Sequence, residues 1–121
     1  MPVRALIVDD NQAFLAAART ILDGPEVGVV GVAANGADAL RSVHELKPDL
    51  VLLDIDLGAE SGFALAREIA QQLDGASPKM ILISAHPEDE FAELIAESPA
   101  LGFLTKSDLC PATVAGLLRG G

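Results

Sequence analysis

The chain has 121 residues and carries 18 acidic against 8 basic side chains, which gives a net charge of −10. This length fits one domain with one core. We find neither a secretory signal nor an apolar run near the ~20 residues that span a bilayer, so we expect a cytoplasmic protein that does not enter a membrane. The acidity argues against direct nucleic-acid binding, which depends on Lys and Arg, and the single Cys110 excludes an internal disulfide and a cysteine-based zinc cluster.

The apolar pattern predicts five strands that alternate with five helices. The predicted strands are Arg4–Val8, Val27–Val32, Leu50–Leu53, Met80–Ile83 and Leu101–Leu104. The helices are expected after Asn11, after Asn35-Gly36, from Ser61 or Gly62, from Pro87, and from about Asp108 to Leu118, with a turn over 75–78. Strict alternation predicts a single α/β domain, a doubly wound parallel sheet with the flavodoxin-like strand order 2-1-3-4-5.

The third predicted strand is the centre of the chain. Four apolar residues, Leu50 to Leu53, run directly into Asp54, and the glycines Gly58 and Gly62 mark the loop that follows. Such a run indicates a strand buried on both faces, and we expect its last residue to surface at the sheet edge. Ligands of open α/β sheets bind beyond the carboxyl ends of the strands, so Asp54 lies where this fold places its chemistry.

Polar residues close the other strands as well. Asp9 and Asp10 follow the first, Ser84 the fourth and Lys106 the fifth. Clustered carboxylates repel one another unless a cation joins them, and Mg²⁺ prefers such oxygen ligands. Lys106 supplies a compact positive charge for a phosphoryl oxygen and Ser84 a hydroxyl donor. The pattern therefore predicts a phosphoryl-transfer site with Asp54 as the candidate nucleophile.

Four stretches, LIVDDNQAF, VLLDIDLGAESGF, ILISA and GFLTKSD, resemble the receiver (CheY-like) domain of two-component response regulators. The resemblance covers essentially the whole chain, residues 1–121. It implies that Asp54 accepts a phosphoryl group from a sensor histidine kinase. It also implies that Mg²⁺ is bound by Asp10, Asp54 and the backbone carbonyl of Asp56, with Asp9 helping through water.

The same resemblance assigns the remaining site residues. Ser84 is the implied switch hydroxyl, Lys106 the implied phosphoryl-contacting lysine, and Phe103 the implied switch aromatic that moves with Ser84. An ordinary core phenylalanine is the alternative for Phe103. Asp56 and His86 lie where receivers vary the lifetime of the phosphoryl group, and a plain solvent-facing position is the alternative for both.

Two stretches depart from the receiver pattern. Receivers commonly have a proline in a cis peptide directly after the lysine, and Ser107 stands there in this chain. A cis bond to a non-proline residue costs about 2.5–4 kcal/mol, so we expect the peptide between Lys106 and Ser107 to be trans. The loop after Asp54 reads Asp56-Leu57-Gly58 and lacks the common Met-Pro pair.

Output is expected through the surface formed by the fourth helix, the fifth strand and the fifth helix, either to a downstream protein partner or to a second copy in a homodimer. We expect a stand-alone receiver, because the sequence stops at Leu117-Leu118-Arg119-Gly120-Gly121, directly after the last predicted helix. The alternative is the N-terminal receiver fragment of a DNA-binding response regulator, with Gly120-Gly121 near the start of a linker.

Other protein classes fit the sequence less well. Asp54-Ile55-Asp56 resembles the motif of haloacid dehalogenase phosphatases, but that family opens with this motif and places its acidic pair late, whereas Asp9-Asp10 comes first here. A flavodoxin-like cofactor module needs a Ser/Thr/Gly-rich phosphate loop after its first strand. This chain has Asp9-Asp10-Asn11 there, which would repel a phosphate. A pseudo-receiver usually lacks the phosphoacceptor or the lysine, and this chain has both. We expect no enzyme activity beyond phosphorylation and dephosphorylation of the chain itself.

Overall fold

The computed structural model describes residues 2–73 and 77–120, so the predicted turn over 75–78 lies partly outside the described residues. The strands are β1 Val3–Val8, β2 Val27–Ala33, β3 Leu50–Asp54, β4 Lys79–Ser84 and β5 Gly102–Thr105. The helices are α1 Gln12–Leu22, α2 Gly36–Leu46, α3 Gly62–Gln72, α4 Ala92–Glu97 and α5 Pro111–Gly120. Within the described ranges, no helix is long and apolar enough to cross a bilayer.

The five strands form one parallel sheet in the order β2-β1-β3-β4-β5, which confirms the predicted fold and strand order. Alternate side chains of the sheet enter two separate cores. Leu6, Leu53 and Phe103 belong to the core that also contains residues of α2 and α3, and Ile7 and Leu52 to the core on the side of α1 and α5. Each of the five residues of β3 is buried, as expected for a central strand covered on both faces.

Three helices begin directly beyond the carboxyl edge of the sheet because polar side chains cap them there. The side chain of Asn11 accepts a hydrogen bond from the Phe14 amide at the start of α1, and Ser61 does the same at the start of α3. Asn35 caps α2 in the same way. Each cap satisfies an amide that the first helical turn leaves free. These three helix starts therefore lie along one edge of the sheet.

The last two helices begin later than predicted. Pro87 has an extended backbone and precedes a 3₁₀ turn, Glu88–Phe91, so α4 begins at Ala92 and not at the proline. The fifth strand lies one residue later than predicted, and a second 3₁₀ turn, Lys106–Asp108, separates it from α5. The carboxylate of Asp108 accepts a hydrogen bond from the Thr105 hydroxyl at 2.9 Å, which favours the turn over a helical start. α5 therefore begins at Pro111, a residue suited to a first helical turn.

Candidate functional site

The carboxyl edge of the sheet holds a cavity of about 230 Å³ between β1, β3, β4 and the turn after β5. Its walls include every strand-end residue that the sequence singled out: Asp9, Asp10, Asp54, Ser84 and Lys106. The sequence order of these residues spans most of the chain, and the parallel sheet brings them to one edge. The predicted convergence of the polar strand ends is thus observed.

Asp54 is the last residue of β3 and is only 5% exposed. We expected it to surface at the sheet edge, and it is buried instead. Its Oδ1 accepts a hydrogen bond from the amide of Asp56 at 3.1 Å, and its Oδ2 accepts one from Lys106 Nζ at 3.2 Å. Burial raises the pKa of Asp54 from its ordinary 3.8 to about 6. The hydrogen bond from Asp56 opposes this rise, the charge of Asp9 adds to it, and Lys106 lowers the pKa.

Three carboxylates meet in the cavity. Oxygens of Asp9, Asp10 and Asp54 all lie within 4.8 Å of one another. Asp9 is fully buried, and its Oδ1 accepts a hydrogen bond from the amide of Asn11 at 2.9 Å. The buried Oδ2 of Asp9 receives no hydrogen bond of good geometry from the described residues, although Lys106 Nζ lies 2.6 Å away as an ion pair. A cluster of carboxylate oxygens suits a hard divalent cation.

The loop after β3 forms the wall beside Asp10. It folds into a small hairpin in which Asp56–Leu57 pairs with Glu60–Ser61, and we refer to residues 56–61 as the hairpin. Gly58 at its tip has a φ of +73°, a conformation that favours glycine, and a Cβ added there would lie 3.2 Å from Asp10 Oδ2. The side chain of Asp56 is exposed and accepts a hydrogen bond from the Gly58 amide at 3.2 Å. The hairpin thus passes close to the acid cluster.

Lys106 is the cation that the protein itself places in the site. Its Nζ lies between Asp9 and Asp54, and the attraction of these carboxylates raises its pKa although burial alone would lower it. The same Nζ lies 4.4 Å from the ring centroid of Phe14, a cation–π contact. The sequence gave no signal of this contact, because Phe14 lies in the first turn of α1, far along the chain from Lys106.

The turn behind Lys106 forms without a proline. The described residues contain no cis peptide bond, so the peptide between Lys106 and Ser107 is trans, as expected. The amide of Leu109 donates to the carbonyl of Lys106 at 3.3 Å, and the contact between Thr105 and Asp108 closes the same turn. This turn fixes the backbone from which the lysine reaches the cavity.

Ser84 ends β4 and is buried, with its Oγ accepting a hydrogen bond from the amide of His86 at 3.0 Å. His86 is exposed at the cavity rim, and its Nδ1 lies 3.9 Å from Glu90 Oε2. Phe103 on β5 is buried in the core and is paired in register with Leu82. Phe103 therefore occupies a core position in this structure.

Gly62 packs against the end of β3 next to the site, a role that the sequence did not reveal. Its amide donates to the carbonyl of Ile55 at 2.9 Å, and a Cβ added to it would lie 2.6 Å from the Cα of Ile55. Real Cβ atoms do not approach a backbone so closely, so only glycine lets α3 begin against the end of β3. The sequence showed a glycine beside a capping serine, which marks a helix start but not this contact.

Comparison with known proteins gives concordant matches. Residues 5–110 match the response regulator receiver domain family. The transcriptional regulatory protein LiaR of Bacillus subtilis (strain 168) is 27% identical over 118 residues, which are 97% of this chain and 54% of that protein. Protein-glutamate methylesterase/protein-glutamine glutaminase 3 of Geobacter sulfurreducens is 34% identical over 105 residues, 86% of this chain and 28% of that protein. The chain therefore spans about half or less of these relatives.

A solved structure is similar over the whole fold. The signal receiver domain of the putative response regulator NarL from Mycobacterium tuberculosis superposes with a TM-score of 0.86 at 28% identity. The match covers 99% of this chain and 98% of that one. The similarity thus extends over the sheet, its flanking helices and the carboxyl edge where the cavity lies.

Proposed function

This chain belongs to the family of response regulator receiver domains, and we propose that it works as a phosphorylation-controlled receiver with Asp54 as its phosphoacceptor. The position of Asp54 carries the proposal. Its carboxylate is buried at the end of β3, is paired with Lys106, and lines a cavity that also contains Asp10 and Ser84. A sensor histidine kinase is the proposed phosphoryl donor.

In the proposed reaction, a carboxylate oxygen of Asp54 forms a P–O bond while the P–N bond of a phosphohistidine breaks. The electron pair of the broken bond stays on the histidine ring, which takes up a proton and leaves as neutral imidazole. Asp54 attacks in its ionised form, and a pKa of about 6 leaves it mostly ionised at neutral pH. Lys106 holds its positive charge beside the reacting carboxylate, where it stabilises the transferred oxygens. We propose no reaction beyond phosphorylation and dephosphorylation of Asp54.

The acid cluster fits Mg²⁺. We assign Asp10, Asp54 and the backbone carbonyl of Asp56 as its ligands, with Asp9 acting through water. The oxygen-only donor set of Asp9, Asp10 and Asp54 supports the assignment. Bound there, Mg²⁺ would offset the repulsion between the carboxylates and the charge of a phosphoryl group.

The proposed switch runs from Ser84 to Phe103. Phosphoryl oxygens on Asp54 attract the Ser84 hydroxyl, which gives up its contact with the His86 amide, and Phe103 moves into the space that opens. Ser84 lines the cavity, and the neighbouring α4 is exposed or half-buried along all six residues, so its displacement disturbs little packing. Asp56 and His86 line the same cavity from exposed positions, and we propose that they set the lifetime of the phosphoryl group by controlling the approach of water.

Output passes, in this proposal, through α4, β5 and α5 to a downstream protein or a second copy, and the domain itself makes no direct contact with nucleic acid. The proposed receiver domain spans residues 1–121. The stand-alone assignment and a cytoplasmic location stay predictions. Reading the gene past codon 121 decides the first: a stop codon supports a stand-alone receiver, and a following DNA-binding domain supports the alternative.

The test is phosphorylation of the purified chain with acetyl phosphate and Mg²⁺, followed by intact-mass measurement. We expect a mass gain of one phosphoryl group, which the variant Asp54→Asn should lose because an amide is not a nucleophile here. Asp49→Asn, which changes an exposed aspartate directly before β3, is the matched control and should still gain the group. Undiminished labelling of Asp54→Asn would overturn the assignment, and a parent chain that gains no mass would overturn the function.

A further inference from the structure

We propose that Glu60 is a positioning residue of the metal site, because its carboxylate ties the hairpin to the first turn of α2 and thereby holds the Asp56 carbonyl in place. The inference rests on the proposed function, in which that carbonyl is a metal ligand. Glu60 does not line the acid cluster; it acts from the opposite side of the hairpin. The receiver pattern in the sequence gave it no role.

The contact joins residues that are 24 positions apart. The amide of Gly36, the first residue of α2, donates to Glu60 Oε1 at 3.1 Å. The helix's own cap, Asn35, accepts from the amide of Asp38 instead. Glu60 therefore satisfies an amide that the helix leaves free, and its negative charge lies at the positive end of the helix.

The start of α2 is shaped around this carboxylate. Gly36 is buried, and a Cβ added to it would overlap the carboxylate of Glu60. The backbone of Gly36 does not have a positive φ, so the conformation alone does not require glycine there. A Cβ there would force the end of the Glu60 side chain to move away, so glycine at this position lets the carboxylate reach the Gly36 amide. The hydrogen bond and the absence of a Cβ at Gly36 together define this tether.

The hairpin needs support from outside itself. It has two residue pairs, Asp56 with Ser61 and Leu57 with Glu60, and a hairpin of that size is not stable alone. Leu57 is buried and anchors one strand in the core. On the other side the hairpin borders a groove of about 430 Å³ between the first turns of α2 and α3, which offers open space in place of packing. Glu60 lines this groove and makes the tether to Gly36 there.

Movement of the hairpin would be felt at the acid cluster. Asp56 carries the assigned carbonyl ligand, and Gly58 lies against Asp10 Oδ2. Without the tether, the Asp56 carbonyl and Gly58 lose their support on the side of the hairpin that faces α2. Asp54 is part of β3 and stays in place. We therefore expect weaker Mg²⁺ binding without loss of the fold.

The test compares Glu60→Ala with Glu60→Gln in the full chain. Calorimetric titration with Mg²⁺ measures the dissociation constant, and NMR hydrogen exchange of the metal-free protein measures protection of the Gly36 amide. A net hydrogen bond of ordinary strength predicts that Glu60→Ala raises the dissociation constant about three- to tenfold. It should also speed exchange at Gly36. Glu60→Gln keeps an acceptor and should restore most of both, whereas Glu68→Ala, an exposed glutamate lining the same groove, should change neither.

A second variant approaches the tether from its other end. Gly36→Ala displaces the Glu60 carboxylate and should weaken Mg²⁺ binding as Glu60→Ala does, with no further loss in the double variant. Equal weakening of Mg²⁺ binding by Glu60→Ala and Glu60→Gln, with the Gly36 amide still protected from exchange in Glu60→Gln, would mean that charge and not the tether matters to the metal, and would overturn the proposal. Unchanged exchange at Gly36 in Glu60→Ala would overturn the role of Glu60 but would leave the proposed function standing. A parent chain that binds no Mg²⁺ and accepts no phosphoryl group would overturn the proposed function itself.

Discussion

Replacing Asp54 by Asn should stabilise the metal-free chain, and the gain should grow as the pH rises. The pKa of Asp54 rises from 3.8 to about 6 on folding, so the folded state binds this proton more tightly than the unfolded state. The stability that Asp54 contributes is therefore fully present below about pH 3.8 and is lost as the pH rises through about 6. Asn does not ionise and escapes that loss.

The size of the effect follows from the pKa shift. A shift of about 2 units, at about 1.4 kcal/mol each, gives about 3 kcal/mol as an upper value. The 5% exposure of Asp54 leaves this value without a large discount for solvent screening. The pKa of about 6 already includes the favourable 3.2 Å contact with Lys106, so the loss of that contact in the variant needs no separate correction. We therefore expect up to about 3 kcal/mol, or about 12 °C in Tm for a chain of this size, near pH 7.5.

The assay is urea unfolding followed by far-ultraviolet circular dichroism, in EDTA, from pH 4 to pH 8. The parent, Asp54→Asn and Asp89→Asn are compared, the last as a control because Asp89 is exposed. The stability difference between Asp54→Asn and the parent should be small at pH 4 and reach its full size above pH 7. Added Mg²⁺ should stabilise the parent more than the variant.

Two results would refute the reasoning. A stability difference that stays flat from pH 4 to pH 8 would mean that the folded and unfolded states bind the Asp54 proton equally. A variant less stable than the parent at pH 7.5 would mean that the ion pair with Lys106 outweighs the burial of the charge.

EDTA should stop phosphorylation by acetyl phosphate, and Asp10→Ala should weaken Mg²⁺ binding in a calorimetric titration; labelling at full rate without metal would contradict this. Beryllofluoride with Mg²⁺ should shift NMR signals of Phe103 and α4, and shifts confined to the surroundings of the phosphoacceptor would argue against the switch. Gly62→Ala should lower the free energy of unfolding by more than about 2 kcal/mol, since its Cβ would meet backbone. Gly116→Ala, which meets nothing within 4 Å in α5, should raise it by about 0.5–1 kcal/mol, and equal effects would contradict the packing argument.

The elements that the sequence predicted well are those that local pattern encodes. The unbroken apolar run of β3 needs both faces of a sheet covered, and Asn11 and Ser61 stand where a helix needs a side-chain acceptor. Given alternating strands and helices, the handedness of crossovers leaves few sheet orders. The meeting of Asp9, Asp54 and Lys106 at one edge follows from that order.

What the sequence did not predict depends on contacts between distant segments. The burial of Asp54 depends on how deeply its neighbours cover the edge, and the contact between Phe14 and Lys106 joins α1 to the turn after β5. The pairing of Glu60 with Gly36 likewise leaves no local pattern. The late starts of α4 and α5 reflect 3₁₀ turns that compete with the first helical turn. A proline is compatible with the start of a 3₁₀ turn as well as of an α-helix, so Pro87 did not distinguish the two.

The close approach of Gly62 to β3 divides the carboxyl edge into a stiff side and a compliant side. Five of the eleven residues of α3 are buried, and its first residue is locked against Ile55, so α3 moves only if β3 moves. α4 has six residues, none of them buried. A local strain created at Asp54 should therefore be relieved by movement of β4 and α4, because α4 can shift with the loss of few buried contacts. The geometry of one glycine would then set the direction in which the molecule can yield, and α3 would act as the fixed support against which the other side moves.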